Sequence, residues 1–115
     1  MDSAEEDLIE RVRALLEREE SSREVSMFGG RSFLVNEKMV ACARRAGNLL
    51  VRVDAARHNE LLRRPGAGAA QMGPARTMGA GWIEVARGAI DDDESLSAWV
   101  AVAMEFNRAA TGHRP

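Results

Sequence analysis

The sequence predicts an α+β fold: a two-layer α-β(3)-α-β(2)-α domain with a mainly antiparallel five-stranded sheet packed by helices. Apolar residues recur with a helical period near both ends of the chain. Residues 25–53 contain three short runs of β-forming residues, separated by links of only two and four residues. Such links require antiparallel neighbours, because parallel strands need long crossover connections.

The first element is a helix predicted over residues 3–20. Ser3 caps it in this prediction, with Glu6 three residues later completing a capping box. The stripe predicted to face the core repeats at intervals of four, three and one, at Leu8, Val12, Leu15 and Leu16.

Three strands follow, predicted over residues 28–35, 38–44 and 49–53. The first opens with Gly29 and Gly30, which are expected to allow a bend or bulge at its entry. Four large apolar side chains are expected to join the two layers as core residues: Met27, Phe28, Trp82 and Trp99. An exposed patch of Met or Trp side chains would instead indicate a groove for a partner.

The fourth element is a short helix over residues 55–63, with Asp54 as its N-cap and Pro65-Gly66 ending it. Two strands are predicted after it, near residues 69–72 and at 81–87.

The last helix is predicted to begin after Asp91 or Asp92 and to run to about residue 110, followed by a frayed tail over residues 111–115. The chain is therefore expected to form a single domain over residues 1–115, with an ordered core from about residue 3 to residue 110.

Composition restricts the class of protein. The chain is 45% hydrophobic and 30% charged, as in globular proteins, and no apolar run approaches the roughly 20 residues of a membrane span. The acidic N-terminus lacks the apolar segment of a signal peptide. Cys42 is the single cysteine and excludes an intramolecular disulfide. These features predict a cytoplasmic protein with no membrane association.

Charge is distributed unevenly along the chain. Residues 1–24 carry nine acids and four bases, residues 25–87 four acids and ten bases, and residues 88–115 five acids and two bases. A basic middle segment is typical of an anion-binding face. The simpler interpretation is that acidic residues collect at helix starts, where the helix dipole favours them.

No catalytic set, metal site or cofactor motif is predicted. The run from Asp91 to Glu94 lacks the spaced ligands of a calcium loop and is expected to cap a helix. His58, His113 and Cys42 are too few and too scattered for a zinc site. His58 is expected to be a half-exposed helix residue, and Cys42 a buried, inert thiol.

Six segments occur in the order and spacing of a known family: Met27-Phe28-Gly29-Gly30, Phe33-Leu34-Val35, Leu49-Leu50-Val51-Arg52-Val53, Arg64-Pro65-Gly66-Ala67, Met72 with Met78-Gly79, and Ala98-Trp99-Val100. The chain resembles the TfoX (Sxy) N-terminal domain over about residues 5–110. The resemblance implies the same α-β(3)-α-β(2)-α fold. TfoX proteins regulate natural competence in some bacteria and carry a second, helical domain. The resemblance implies a single-domain member lacking that second domain, and it carries over no catalytic residues.

Two functional hypotheses follow from these observations. The first is a non-enzymatic regulatory or protein-interaction module that binds an unknown protein partner or itself. The alternative is a small nucleic-acid-associated factor that uses the basic middle segment. Four arginines are the candidate binding residues of a basic face that would bind nucleic acid or an acidic protein partner: Arg44, Arg52, Arg76 and Arg87.

Overall fold

An antiparallel sheet with helices packed on one face dominates the computed structural model, which describes residues 2–74 and 76–112. The helices are α1 (Ser3–Leu15), α2 (His58–Leu61) and α3 (Asp93–Thr111). The strands are β1 (Ser22–Met27), β2 (Gly30–Val35), β3 (Lys38–Arg44), β4 (Leu49–Arg52), β5 (Ala67–Ala69), β6 (Gln71–Gly73), β7 (Arg76–Thr77) and β8 (Trp82–Val85). The main sheet has the order β1-β2-β3-β4-β8-β5, and β6 with β7 forms a separate hairpin.

The main core lies between the sheet and the two longer helices. Side chains of β4 alternate across the sheet, so Leu49 and Val51 face the helices, whereas Leu50 and Arg52 face the opposite side, here called the outer face. Trp99 of α3 is 4% exposed in this core, as predicted. The α+β class, the two layers and the antiparallel pairing are confirmed.

The first helix is shorter than predicted. It ends at Leu15 rather than residue 20, and Asp2 rather than Ser3 caps it. The Asp2 carboxylate accepts hydrogen bonds from the backbone N–H groups of Glu5 at 2.7 Å and Ala46 at 3.1 Å, and it thereby ties the helix start to the end of β3. Residues 17–20 include three glutamates, which the negative end of the helix dipole disfavours.

The prediction of five strands in the sheet was wrong, because the main sheet has six. The missed strand is β1, whose residues are exposed or half-buried and show no clean apolar alternation. The predicted first strand was placed too early: Phe28 and Gly29 form a turn, and strand β2 begins at Gly30.

The predicted strand near residues 69–72 is divided between two sheets. β5 pairs with β8 at one edge of the main sheet, and β6 leaves the sheet to pair with β7. Ala70 lies between them and is 1% exposed. Its carbonyl accepts a hydrogen bond from Met78 N–H at 2.8 Å, which closes the segment that contains the small hairpin.

The predicted starts of the second and third helices agree better with the structure than the predicted start and end of the first. Asp54 caps a single turn of 3-10 helix that leads into α2, and Asp92 caps α3 by accepting from Ser95 N–H at 2.9 Å. Thr111, predicted to begin the tail, still belongs to α3, and Gly112 ends it in a left-handed conformation. The rest of the predicted tail, residues 113–115, lies outside the described residues.

Stability is expected to fall on acidification. Arg13 donates two hydrogen bonds to the Glu24 carboxylate, at 2.7 and 2.8 Å, and lowers its pKa. Hydrogen bonding to the Ser95 backbone likewise lowers the pKa of Asp92. A carboxyl group with a lowered pKa stabilises the fold above its unfolded-state pKa, and the contribution is lost as pH falls through the folded-state value. Urea unfolding should therefore show a declining free energy between about pH 5 and about pH 2.

The matched control is Asp92→Asn, because asparagine caps a helix as well as aspartate but does not titrate. Its free energy of unfolding should decline less steeply with acid than that of the parent chain. Equal declines would contradict the role assigned to the Asp92 carboxylate.

Candidate functional site

The Met27-Phe28-Gly29-Gly30 segment forms the turn between β1 and β2. Met27 pairs with Gly30, and the two residues between them have positive φ angles of 60° at Phe28 and 78° at Gly29. Two positive φ angles define the type I′ turn that suits the twist of a β-hairpin. The glycine at the second position meets this requirement without steric cost.

Phe28 is an unusual residue for its position in the turn. A bulky L-residue in the left-handed region costs about 1–2 kcal/mol, and Asn-Gly is the common sequence for this turn. The Phe28 ring instead packs against Trp82, with ring centroids 5.4 Å apart. This contact folds the turn onto the outer face of the sheet. There the Phe28 ring joins the small apolar cluster around Leu50.

The prediction that Met27, Phe28 and Trp82 join the two layers in the main core was wrong. Met27 is 39% exposed, because it lies on the edge strand and faces the side of the sheet opposite the helices. Phe28 and Trp82 are half-buried on the outer face, where the second apolar cluster has Cys42 and Leu50, together with Ala70, at its centre.

Arg44 connects the Phe28 turn to the rest of the outer face. Its Nε donates to the Phe28 carbonyl at 2.9 Å, and its Nη1 donates to Glu84 Oε1 at 2.9 Å. Both terminal nitrogens also lie 3.5 Å from the Gln71 carbonyl oxygen. The side chain is only 15% exposed, so this charge-assisted network is largely shielded from water.

A cleft of about 590 Å³ lies above Arg44, between the Phe28 turn and the β6–β7 hairpin. Met78 packs in its lower part, and Met72 at its rim is 66% exposed. The residues that define its shape are Phe28, Gly29, Arg44, Gln71, Met72 and Met78. Its mouth also carries Arg45, which is exposed and has no carboxylate partner among residues 2–74 and 76–112.

Cys42 lies beneath the turn and is fully buried. Its Sγ is 3.4 Å from the Met27 carbonyl oxygen, which also accepts a hydrogen bond from Ser32 Oγ at 2.9 Å. Burial raises the pKa of the Cys42 thiol above its ordinary value. A raised pKa favours the protonated thiol, and burial shields it from solvent, as in the environments of structural cysteines.

The four predicted binding arginines do not come together. Arg44 lies in the cleft and is paired with Glu84. Arg52 stacks on Trp82 and Phe106, with its guanidinium carbon 5.1 and 4.9 Å from the ring centroids. Arg76 is exposed on β7, and Arg87 lines a separate cavity beside α1. The arrangement gives two arginines on the outer face of the sheet instead of a continuous basic surface.

The other residues singled out in the sequence have structural contacts. His58 begins α2, is half-exposed as predicted, and its Nδ1 accepts a hydrogen bond from Gly81 N–H at 2.9 Å. The run from Asp91 to Glu94 supplies the cap of α3. Within the part of the chain that the structure describes, no three His, Cys, Asp or Glu side chains form a metal-binding group.

Fold and cleft together define a small antiparallel α+β domain with helices on one face and two hairpin turns on the other. A family model described as the TfoX N-terminal domain matches residues 14–107, and the chain belongs to this family. No curated protein and no solved structure matches the chain. Of the helices described, none combines the length and apolar character needed to cross a membrane.

Sequence reasoning missed three residues of the site: Arg45, Gln71 and Glu84. Glu84 carried a recoverable signal, since it alternates with the buried Ile83 and Val85 and must therefore face the same side as Leu50, its partner on β4. Gln71 contributes only a backbone carbonyl, which the identity of its side chain does not reveal.

Proposed function

We propose that this chain is a non-enzymatic interaction module, of regulatory type, that binds a protein partner in the cleft between the Phe28 turn and the β6–β7 hairpin. The observation that carries the proposal is that Phe28 and Gly29, from one segment of the family resemblance, and Met72 and Met78, from another, line this one cleft. These segments are more than forty residues apart in the chain. The regulatory part of the proposal depends on membership of the family.

Chemistry of the cleft favours an extended peptide segment with a large apolar side chain beside a carboxylate. Methionine side chains adapt to varied apolar partners, and Met72 offers such a surface at the rim. Arg45 supplies an exposed positive charge at the mouth. The backbone strain held at Phe28 also supports a binding role, because strained residues concentrate at functional sites.

Nucleic acid is the alternative partner, and the cleft suits it less well. The guanidinium of Arg44 is occupied by Glu84 and by the Phe28 carbonyl, so it has little capacity left for a phosphate. Arg52 is likewise held between two aromatic rings. Arg45 at the mouth of the cleft and Arg76 on β7 are exposed, but two arginines are too few for the extended basic surfaces that nucleic acids require.

The test uses the full chain with a photo-crosslinking amino acid at Met72 in its native cytosol, with and without nuclease. A protein cross-linked in both conditions is identified and purified, and its affinity for the unmodified chain is measured. The substitution Met72→Gln should weaken this affinity by about tenfold, which corresponds to roughly 1.4 kcal/mol. The control Leu15→Gln, which changes a 41% exposed side chain in the helix layer, should leave the affinity unchanged.

Phe28→Asn separates stability from binding. Asparagine is well suited to the turn and removes the backbone strain, whereas loss of the ring removes the contact with Trp82. These effects oppose each other, so the free energy of unfolding should change by less than about 1 kcal/mol. Affinity for the partner should nevertheless fall about tenfold. Unchanged affinity in both Met72→Gln and Phe28→Asn, or cross-linking that disappears with nuclease, would overturn the proposal.

A further inference from the structure

Strand β1 forms one edge of the main sheet. The edge of β1 that points away from β2 has no partner strand among residues 2–74 and 76–112. Met27 and Gly30 close a two-residue turn and so form a hydrogen-bonded pair. Because such pairs alternate along an antiparallel ladder, Arg23 and Val25 also direct their backbone groups toward β2. The Ser21 carbonyl accepts from Asn36 N–H at 3.1 Å, which extends the same alternation.

Residues at the even positions of β1 therefore direct their backbone N–H and C=O groups away from the sheet: Ser22, Glu24 and Ser26. Outside the β1–β2 ladder, no backbone hydrogen bond within the described parts of the chain uses these groups. Proteins normally protect a long edge with proline, lysine, a bulge or a covering segment. β1 contains neither proline nor lysine, and its register with β2 is continuous. Its two charged side chains, Arg23 and Glu24, are held in ion pairs with Glu37 and Arg13 of the same chain, so they do not block the edge.

We propose that β1 pairs with β1 of a second copy of this chain, antiparallel, about a twofold axis at Val25. This surface is distinct from the cleft, and the inference goes beyond the proposed function. Antiparallel pairing of two identical strands has a twofold axis in any register. The alternation places this axis at a residue, because the outward-directed residues of one copy must pair with outward-directed residues of the other.

Charge and ladder length select the register. An axis at Ser26 would bring no like charges together, but it would pair only residues 25–27 before β1 ends at Met27. An axis at Glu24 would place that carboxylate opposite its own copy, and an axis at Arg23 would place two guanidinium groups opposite each other. Like charges directly opposite destabilise a sheet. An axis at Val25 avoids both conflicts, since it sets Glu24 opposite Ser26 and Arg23 opposite Met27.

The register at Val25 also buries apolar surface. Val25, Met27 and Arg23 lie on the outer face, because they pair with residues of β2 on that side. Met27 is 39% exposed in the single chain and would be covered by the aliphatic part of Arg23 from the other copy. Arg23 keeps its charged end in water, where it donates two hydrogen bonds to Glu37, at 2.8 and 2.9 Å.

A disulfide cross-link tests the register directly, in a Cys42→Ser background that removes the native thiol. In the proposed dimer, the two Val25 positions form a non-hydrogen-bonded pair with Cα atoms about 4.5 Å apart, within disulfide range. The variant Val25→Cys should therefore cross-link as a dimer on mild oxidation. The control Glu24→Cys should not, because its two copies are diagonal neighbours about 7–8 Å apart.

Analytical ultracentrifugation over a range of concentrations tests the association itself. The parent chain should show a monomer–dimer equilibrium. Val25→Lys should raise the dissociation constant at least about tenfold, because it sets two positive charges opposite each other at the axis. The matched control Val25→Thr, which keeps a β-branched side chain, should retain the dimer, and circular dichroism checks that both variants fold.

A parent chain that remains monomeric would overturn the proposal and leave the edge available to a strand of another protein. A dimer that Val25→Lys does not weaken, or that Glu24→Cys cross-links while Val25→Cys does not, would also overturn it. Photo-crosslinking at Met72 should be unaffected by Val25→Lys, because Val25 lies outside the cleft.

Discussion

Gly30→Ala is expected to be the most destabilising single substitution in the turn. A Cβ atom at Gly30 would collide with the carbonyl oxygen of Ala43 and lie 2.9 Å from the carbonyl carbon on strand β3. These are backbone atoms held in the sheet, so they cannot move aside as a flexible side chain would. Overpacking of this kind costs about 3 kcal/mol or more, a large fraction of the stability of a small domain. Urea denaturation of the purified variant measures the loss.

Two glycines provide matched controls for Gly30→Ala. Gly29 has a φ of 78° and no atom within 4 Å of the position that a Cβ would occupy, so Gly29→Ala should cost only about 1–2 kcal/mol of backbone strain. Gly68 has open space and no positive φ, so Gly68→Ala should change stability by less than about 0.5 kcal/mol. Equal losses for Gly29→Ala and Gly30→Ala would contradict the steric explanation.

Arg44→Met is expected to have the second large effect, on stability and on the cleft together. The substitution leaves the Glu84 carboxylate and the Phe28 carbonyl without their shared donor, although methionine roughly fills the same volume. Removing one partner of a buried pair costs about 3–5 kcal/mol, and the 29% exposure of the Glu84 side chain reduces the expected loss to about 2 kcal/mol. Amide hydrogen exchange in the β6–β7 hairpin should accelerate, because the hairpin loses the contacts of Arg44 with the Gln71 carbonyl and with Met78.

A control variant and a double variant test this prediction for Arg44. Arg45→Met changes the neighbouring, exposed arginine and should alter the free energy of unfolding by less than about 0.5 kcal/mol. Arg44→Met combined with Glu84→Met should recover part of the loss, since no uncompensated charge remains. If the double variant is as unstable as the sum of the single variants, Arg44 and Glu84 are not energetically coupled.

The β1–β2 hairpin contributes to both proposed binding surfaces, through different residues. The turn at Phe28 contributes to the cleft, whereas the edge of β1 that points away from β2 is available for a second copy. Because Val25 and Met72 belong to different surfaces, variants at one position report on that surface alone. A dimer built through β1 would carry two clefts, one in each copy.

Most of the secondary structure could be predicted from local patterns. The helical period located α1 and α3, and the runs of β-forming residues located β2, β3, β4 and β8. Strand β1 could not be found in this way, because an edge strand that is solvated on much of its surface needs no apolar alternation. The end of α1 was misplaced for a related reason: helical propensity continues through residues 17–20, but the chain must turn there to enter β1.

The candidate site was predicted only in part. Met27–Gly30 and the stretch from Met72 to Gly79 were recognised as family segments, and Arg44 as a binding candidate, but nothing local connected them. Their connection depends on strand order. β8 lies between β4 and β5, and this position brings Glu84 within 2.9 Å of Arg44.

By itself the sequence determined the α+β class, the positions of the longer helices and central strands, and the family. These properties depend on side-chain periodicity and on ordered motifs, both of which are local. Only the tertiary structure decided that Phe28 and Gly29 form a turn, that Arg44 joins this turn to Glu84, and that the basic residues are dispersed. Such contacts join residues far apart in the chain, and they are fixed by the strand order that best buries the whole core.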